Sequence, residues 1–418
     1  MRILFLTNYY PPCQYDWGYM QLCEEAAESM AARGHDVAVL TSHYRHGAEW
    51  KRPYPVYRLL PIDPDWRSGE SAFKQFFFGR RAKEQQSVAH LKQVVEAFQP
   101  DIIFAWHCIG LSRRMLQTAE TFPGIVMAYY FANYMPELAD EHLLYWRAPA
   151  AGFPTRLIKR MLSQVAITIL AREGKPIRLR YENSACVSDY VRQRLAGQGL
   201  IPENSAVIHN GIDLNIFSQP GRATFSPQKT PIRCLVAGRV DAEKGVHTVV
   251  EAFVHLQTQG LAQQFQLTIL GDGLPAYTQA LRNRVKENNL ERIIEFRPPV
   301  PRHQMPQILA GYHILILASE YAEPLARAGQ EAMGMGLLVI GTTTGGSSEL
   351  LIHKKTGLAF AAGNAGDLAA QLAAVWQQPE MATNLAAAGQ HTVIQHFNMV
   401  RMGDEIESFL QNLRVTAV

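Results

Sequence analysis

No stretch of this chain is apolar for long enough to cross a bilayer, which takes about 18 consecutive apolar residues. The opening run, Ile3 to Leu6 after Met1-Arg2, is also too short for the core of a secretory leader, so none is expected. Cysteine is sparse: Cys13, Cys23, Cys108, Cys186 and Cys234 are scattered, with no C-x-x-C pair. That excludes a zinc ribbon and a disulfide framework, and it suits a reducing compartment. Charge of one sign is missing as well. The net charge is +3 with 18% charged residues, so the overall balance gives no reason to expect nucleic acid as a partner. No short-period repeat is present, which excludes a solenoid. No D-x-D stands beside a plausible nucleotide-binding strand, and no His/Cys cluster has ligand spacing, so no metal is expected.

What is there is a foldable chain. Hydrophobic residues make up 47% of 418, a globular composition too long for one core. We read an N-terminal domain over 1–215, a second domain over 216–395 and a C-terminal helix over 396–418. The first half alternates strand and helix. Ile3–Thr7, Asp36–Leu40, Asp101–Trp106, Ile125–Tyr129 and Ala185–Ser188 read as strands. Helices are expected from Gly18 to Arg33, ended by Gly34 as a left-handed cap, and over 81–98. This is the rhythm of a parallel α/β sheet. Asn210-Gly211 marks a turn, and the polar stretch 218–230 reads as a linker. The tail reads as helices over Asn364–Gln377, Pro379–Gln395 and Phe397–Leu413, the last with Phe397, Met402, Ile406, Phe409 and Leu413 near one face.

Chemistry concentrates in the second half. His313–Leu317 and Leu337–Ile340 read as buried strands, with a loop and a helix between them. Glu323-Pro324-Leu325-Ala326 falls at the carboxyl end of the first, where open α/β sheets bind ligands. Pro324 suits a first helical turn, and Glu331 lies eight residues on, near the same face. Two surface glutamates on an amphipathic helix are the plain alternative. Thr342 to Glu349 is a small-residue loop around Gly345-Gly346, able to hold an anion on backbone N–H groups. Ile232–Gly238 reads as a strand, followed by Arg239 and Lys244. A planar guanidinium bridges two phosphate oxygens and an ammonium adds a point charge. Gly271-Asp272-Gly273-Leu274-Pro275-Ala276 matches G-x-G-x-x-A, with Glu295 placed like a ribose-binding acid. That keeps an NAD-dependent oxidoreductase as an alternative.

The E-x7-E pair Glu323/Glu331, the Gly345-Gly346-x-x-Glu349 turn, the Gly238-Arg239…Lys244-Gly245 segment and Val207-Ile208-His209-Asn210-Gly211-Ile212-Asp213 together resemble the retaining glycosyltransferase family 4. The resemblance is specific over 206–350 and looser before it. It implies the GT-B fold: two Rossmann-like domains facing a cleft, with the last helix crossing back to the N-terminal domain. It implies transfer of a hexose from a UDP- or GDP-type sugar to a glycan, lipid-linked or small-molecule acceptor, without a metal or other cofactor. Carried over residue by residue, Glu331 would hold the ribose. Glu323 would stand near the donor sugar with Pro324, Leu325 and Ala326. Arg239 and Lys244 would take the diphosphate, met by Gly18. Gly271 would line the site, and Arg297 lies in the segment that meets the base. The N-terminal domain would bind the acceptor.

Departures from the family pattern stand beside it. Trp17 fills the place of one glycine of a usual pair before Gly18. The strand end where family members place a histidine carries Tyr129 and Tyr130, and His107 ends the preceding strand. Trp17, His107 and Tyr130 are the acceptor-side candidates. Leu325 and Ala326 replace a usual aromatic and glycine. Residues 147–180 carry Arg147, Arg156, Lys159, Arg160, Arg172, Lys175, Arg178 and Arg180 against Glu173 alone, with Leu157, Ile158, Met161, Leu162 and Val165 spaced for one helical face. The sharp reading is a basic amphipathic helix on an anionic membrane or a lipid-linked acceptor. The plain one is a packed helix with a solvated rim. The expected location is the cytoplasm, peripheral to the inner face of the membrane. A nucleotide-sugar epimerase of the same fold and a non-catalytic binding protein are further alternatives.

Overall fold

The structure is a computed structural model. It describes residues 1–418 except 14–17, 46, 66–67, 69, 139, 150–152, 219–230 and 417–418, and leaves out the side chains of 153–155, 157–158 and 416. Most of the expected linker therefore lies outside the described residues. The chain forms two compact units, Met1–Ile208 with Gly403–Val418, and His209–Met402.

The first unit is built on a 7-stranded sheet in the order β3-β2-β1-β4-β5-β6-β7. Its strands are β1 (Arg2–Leu6), β2 (Asp36–Ser42), β3 (Val56–Leu60), β4 (Ile102–Ala105), β5 (Val126–Phe131), β6 (Ser184–Cys186) and β7 (Ala206–Val207). All pairings are parallel, with Leu4 opposite Ala38 on one side and Ile103 on the other. Ile3 to Leu6 are fully buried, as expected of a strand covered on both faces. β3 escaped the sequence reading, because it is half-buried with little apolar signal. The strand order reverses between β1 and β4. There the two following loops meet, with Asn8 N–H donating to His107 O at 2.6 Å.

The helix Met399–Thr416 begins after Phe397, which closes the preceding helix Pro379–His396 instead of opening the last one. Its Asp404 and Glu407 pair with Arg33, just past the helix Gly18–Ala32, at 2.7 and 3.0 Å. Met402, Ile406 and Leu410 are fully buried on it.

The second unit repeats the plan with a 6-stranded sheet, order β10-β9-β8-β11-β12-β13. Its strands are β8 (Ile232–Ala237), β9 (Phe265–Leu270), β10 (Ile294–Arg297), β11 (Ile314–Leu317), β12 (Leu338–Gly341) and β13 (Leu358–Ala359), again all parallel. Its core joins the sheet to the helices Val246–Thr258 and Ala365–Gln377 through Val249, Phe253, Leu368 and Leu372. Here the order reverses between β8 and β11, so the loops after those two strands border a topological switch point.

Candidate active site

The loops after β8 and β11 bring Lys244 and Glu323 together. Glu323 is buried, 8% exposed. Its carboxylate accepts from Lys244 Nζ, from Ser319 Oγ at 2.6 Å and from Tyr321 OH at 2.5 Å. Lys244 Nζ also reaches Tyr321 OH at 3.2 Å. Burial pushes this carboxyl upward. The Lys244 charge and the bonds from Lys244, Ser319 and Tyr321 override it, and hold the group below the usual carboxylate range. An ammonium has three donors, and among the described residues Glu323 and Tyr321 take two of them.

The Gly345-Gly346 loop after β12 docks on the same residue. Gly346 N–H donates to Glu323 O at 2.7 Å, and Glu323 and Gly345 form a parallel bridge. Gly345 has φ +64°, and a Cβ there would stand 2.3 Å from Glu323 O. Two loops and a glycine thus fix the carboxylate in place.

This docking also corrects the expected helix start. The helix runs Arg327–Gly334, with extended Ala326 before it, so Pro324 lies in the loop and not in a first turn. Glu323 is bridged to the loop after β12, the chain bends at Pro324, and Ala326 is extended. Leu325 and Ala326 point inward, each 7% exposed. Glu331, inside the helix and 5% exposed, is gripped by Arg302 Nη1 at 2.7 Å and Arg327 Nε at 3.1 Å. The two glutamates therefore share neither a helix nor a cation. Arg327 stands four residues before Glu331, a spacing that sequence reasoning had the means to notice. Arg302, from the loop after β10, gave no such signal, nor did Ser319 or Tyr321.

Arg239 lies in the loop after β8, half-exposed, and pairs with Asp241 at 2.7 Å. Gly271 and Gly273 serve loop packing. A Cβ on either would fall 1.8 Å from a carbonyl oxygen, Gly238 O and Val240 O respectively. Their match to G-x-G-x-x-A thus has a backbone cause that no dinucleotide is needed to explain. Arg297 ends β10 on the surface, paired with Glu295 at 2.8 Å.

In the first unit, Gly18 is the exposed first residue of its helix. Trp17 lies outside the described residues. His107 is buried and stacks on Tyr19 at 4.1 Å. Burial drives its pKa down to about 3, so it stays neutral. Tyr130 is interior too: its OH donates to Ile208 O at 2.9 Å, and its ring lies 4.4 Å from Trp106. The basic segment contains the helix Phe153–Arg172, whose expected apolar face divides. Ala166 and Leu170 pack with Phe76, Leu143 and Trp146, with Leu162 beside them, while Met161 and Val165 face outward. The side chains of Leu157 and Ile158 lie outside the description.

Two family models match the chain. Residues 21–216 match "Glycosyltransferase Family 4" and residues 221–392 match "Glycosyl transferases group 1". The putative colanic acid biosynthesis glycosyltransferase WcaL of Salmonella typhimurium is 29% identical over 233 residues, 54% of this chain and 56% of that protein. The chain thus spans about half the length of that relative. The glycogen synthase of Mycobacterium tuberculosis is 27% identical over 410 residues, 95% of this chain and 91% of that protein. Among solved structures, a sucrose-phosphate synthase from Thermosynechococcus elongatus superposes with TM-score 0.73 at 18% identity, covering 100% of both chains. Anabaena HepE in complex with UDP and glucose gives TM-score 0.66 at 18% identity, covering 98% of this chain and 99% of that one. At such identities the structural likeness shows the fold, GT-B.

Proposed function

This chain belongs to glycosyltransferase family 4, and we propose that it moves a hexose, with retention of configuration, from a nucleotide-diphosphate sugar to an acceptor hydroxyl. The observation that carries the reading is Lys244 held on buried Glu323 at the switch point of β8 and β11, with the Gly345-Gly346 loop docked on the same residue. The unit 209–402 takes the donor. Arg239 and the remaining Lys244 donor meet the diphosphate, on which negative charge grows as the glycosidic bond breaks. Fixed cations stabilise that charge without a metal. Glu323 stands by the donor sugar with the Leu325 and Ala326 backbone, and Glu331 accepts from the ribose hydroxyls.

HepE was solved with UDP and glucose, which supports testing a uridine donor first. The unit 1–208 with 403–418 takes the acceptor, a sugar-bearing or lipid-linked molecule. Exposed Arg156 and Arg160, beside outward Met161 and Val165, support peripheral contact of 147–180 with an anionic membrane. No described helix is long and apolar enough to cross one.

The test is hydrolysis and transfer from a panel of UDP- and GDP-hexoses. Release of nucleoside diphosphate from one donor is expected. Failure of every donor to bind, or redox turnover of NAD, would overturn the reading. For the membrane contact, sedimentation with anionic vesicles is expected, and its absence at low salt counts against the contact.

A further inference from the structure

Tyr321 has no part in the roles above, yet it is bonded to both charged groups at the centre of the site. Its OH donates to Glu323 Oε2 at 2.5 Å, and Lys244 Nζ donates to it at 3.2 Å. Chemistry fixes the direction of both bonds. An ionised carboxylate only accepts and an ammonium only donates, so the phenol gives its one proton to Glu323 and accepts from Lys244. The ammonium also stands 5.0 Å from the centroid of the Tyr321 ring.

The backbone keeps the two side chains together. Glu243 and Glu320, which precede Lys244 and Tyr321, are bonded to each other, with Glu320 N–H donating to Glu243 O at 2.8 Å. Beside them Gly245 has φ +62°, and a Cβ there would stand 2.0 Å from Ala318 O. Lys244 N–H donates to Asp241 Oδ1 at 2.9 Å. Ser319 O accepts from Thr342 Oγ1 at 2.7 Å, which ties the Tyr321 loop to the end of β12.

A lysine stem is flexible, and a carboxylate with both oxygens open would draw the ammonium down and spend its charge there. Here Ser319 shares Oε1 with Lys244, and Tyr321 occupies Oε2. The carboxylate thus meets Lys244 through one oxygen. The phenol is neutral, so it anchors the ammonium a second time without adding a compensating charge. We propose that Tyr321 is a positioning residue, which aims the Lys244 ammonium at the phosphate next to the donor sugar. That phosphate follows from the placement of Glu323 by the sugar, so the proposal rests on the transferase reading given above.

The experiment is calorimetric binding of UDP, UMP, GDP and GMP to the full chain. A nucleoside diphosphate carries on its terminal phosphate the charge that the departing group acquires, and a monophosphate lacks that phosphate. Tyr321→Phe keeps the ring and removes the OH. It should weaken the preferred diphosphate about tenfold, and the matching monophosphate less than about twofold. A merely structural role would weaken both alike. Lys244→Met should remove the same preference, and adding Tyr321→Phe to it should cost little more, because both act through one ammonium. With the UDP- or GDP-hexose that is turned over, Tyr321→Phe should lower kcat more than it raises KM, since the charge appears as the bond breaks. Tyr321 is half-buried, so the variant should fold. If its melt shows otherwise, Tyr321→Leu takes its place with the same expectation. Equal losses for both nucleotides, no loss for either, or additive losses in the double variant overturn the proposal and leave the donor site standing. If Lys244→Met keeps the preference for the diphosphate, Lys244 is not its ligand and Tyr321 has nothing to aim. If the wild type binds neither diphosphate, the transferase reading falls and the proposal with it.

Discussion

Glu323 carries its charge into a buried place because Lys244 is there to meet it. The folded pKa lies below the usual value, so the pair contributes stability above the unfolded carboxyl pKa and loses it as pH falls through the folded one. Lys244→Met removes the largest lowering influence and leaves burial, which raises the pKa. Raising pH from about 4 to 7 should then favour the wild type relative to the variant, read from urea midpoints. Parallel midpoint curves would show that Lys244 does not set this charge. Glu331 invites a different test. Taken without its partners it looks like a free ribose ligand whose loss leaves folding intact. Arg302 and Arg327 change that expectation, because Glu331→Gln weakens two charge-assisted bonds at a buried site. We expect a stability loss of roughly 1–3 kcal/mol together with weaker binding of the nucleoside diphosphate. A 2′-deoxyribose nucleotide should bind the wild type poorly and lose little more in the variant, since the same contact is removed twice. Additive losses by calorimetry would remove Glu331 from the ribose. At this scale the sequence reveals charge more readily than its company. Glu323 and Lys244 were visible by type and spacing, whereas Ser319 and Tyr321 are common residues whose role exists only once β11 ends beside β8.

Strands were the most legible elements, because β1, β4, β8, β11 and β12 are short apolar runs covered on both faces. Short or half-covered ones, β3 and β13, carry too little apolar signal to be seen. The helix Arg327–Gly334 shows how a neighbour moves a boundary: by local preference it would start at Pro324, yet the Gly345-Gly346 loop is bonded to Glu323 and the helix starts three residues later, after extended Ala326. That contact gives a prediction of its own. Gly345→Ala places a methyl 2.3 Å from a backbone oxygen at φ +64°, and no flexible side chain is there to yield. The loop must shift, at a cost of about 1–3 kcal/mol. The Glu323 backbone moves with it, so donor affinity should fall too. Thermal melts paired with nucleotide titration would decide. Wild-type stability would show the loop has room, and wild-type affinity would detach it from the donor site.

At the scale of the whole molecule, the two units differ in how the chain supplies them. The first is assembled from both ends of the sequence, residues 1–208 and 403–418, whereas the second is one continuous stretch, 209–402. That stretch contains a complete sheet, the core around Val249, Phe253 and Leu368, and every residue proposed for the donor other than Gly18. Its two ends are tied to each other: Ile212 N–H donates to Phe397 O at 2.9 Å and Met399 N–H to Ile212 O at 3.0 Å. Gln330 Nε2, on the donor helix, donates to Asn210 Oδ1 at 3.1 Å. A segment with its own core and joined ends meets the usual conditions for independent folding. Residues 209–402 produced alone should therefore unfold cooperatively and bind the same nucleoside diphosphate as the full chain, with similar affinity. Transfer should be absent, since the acceptor residues are missing. Urea unfolding and calorimetry on the fragment and the full chain give the comparison. A fragment without a cooperative transition would mean the second unit is not autonomous. A folded fragment that fails to bind, beside a full chain that binds, would place essential donor contacts in the first unit and make Gly18 the first residue to test.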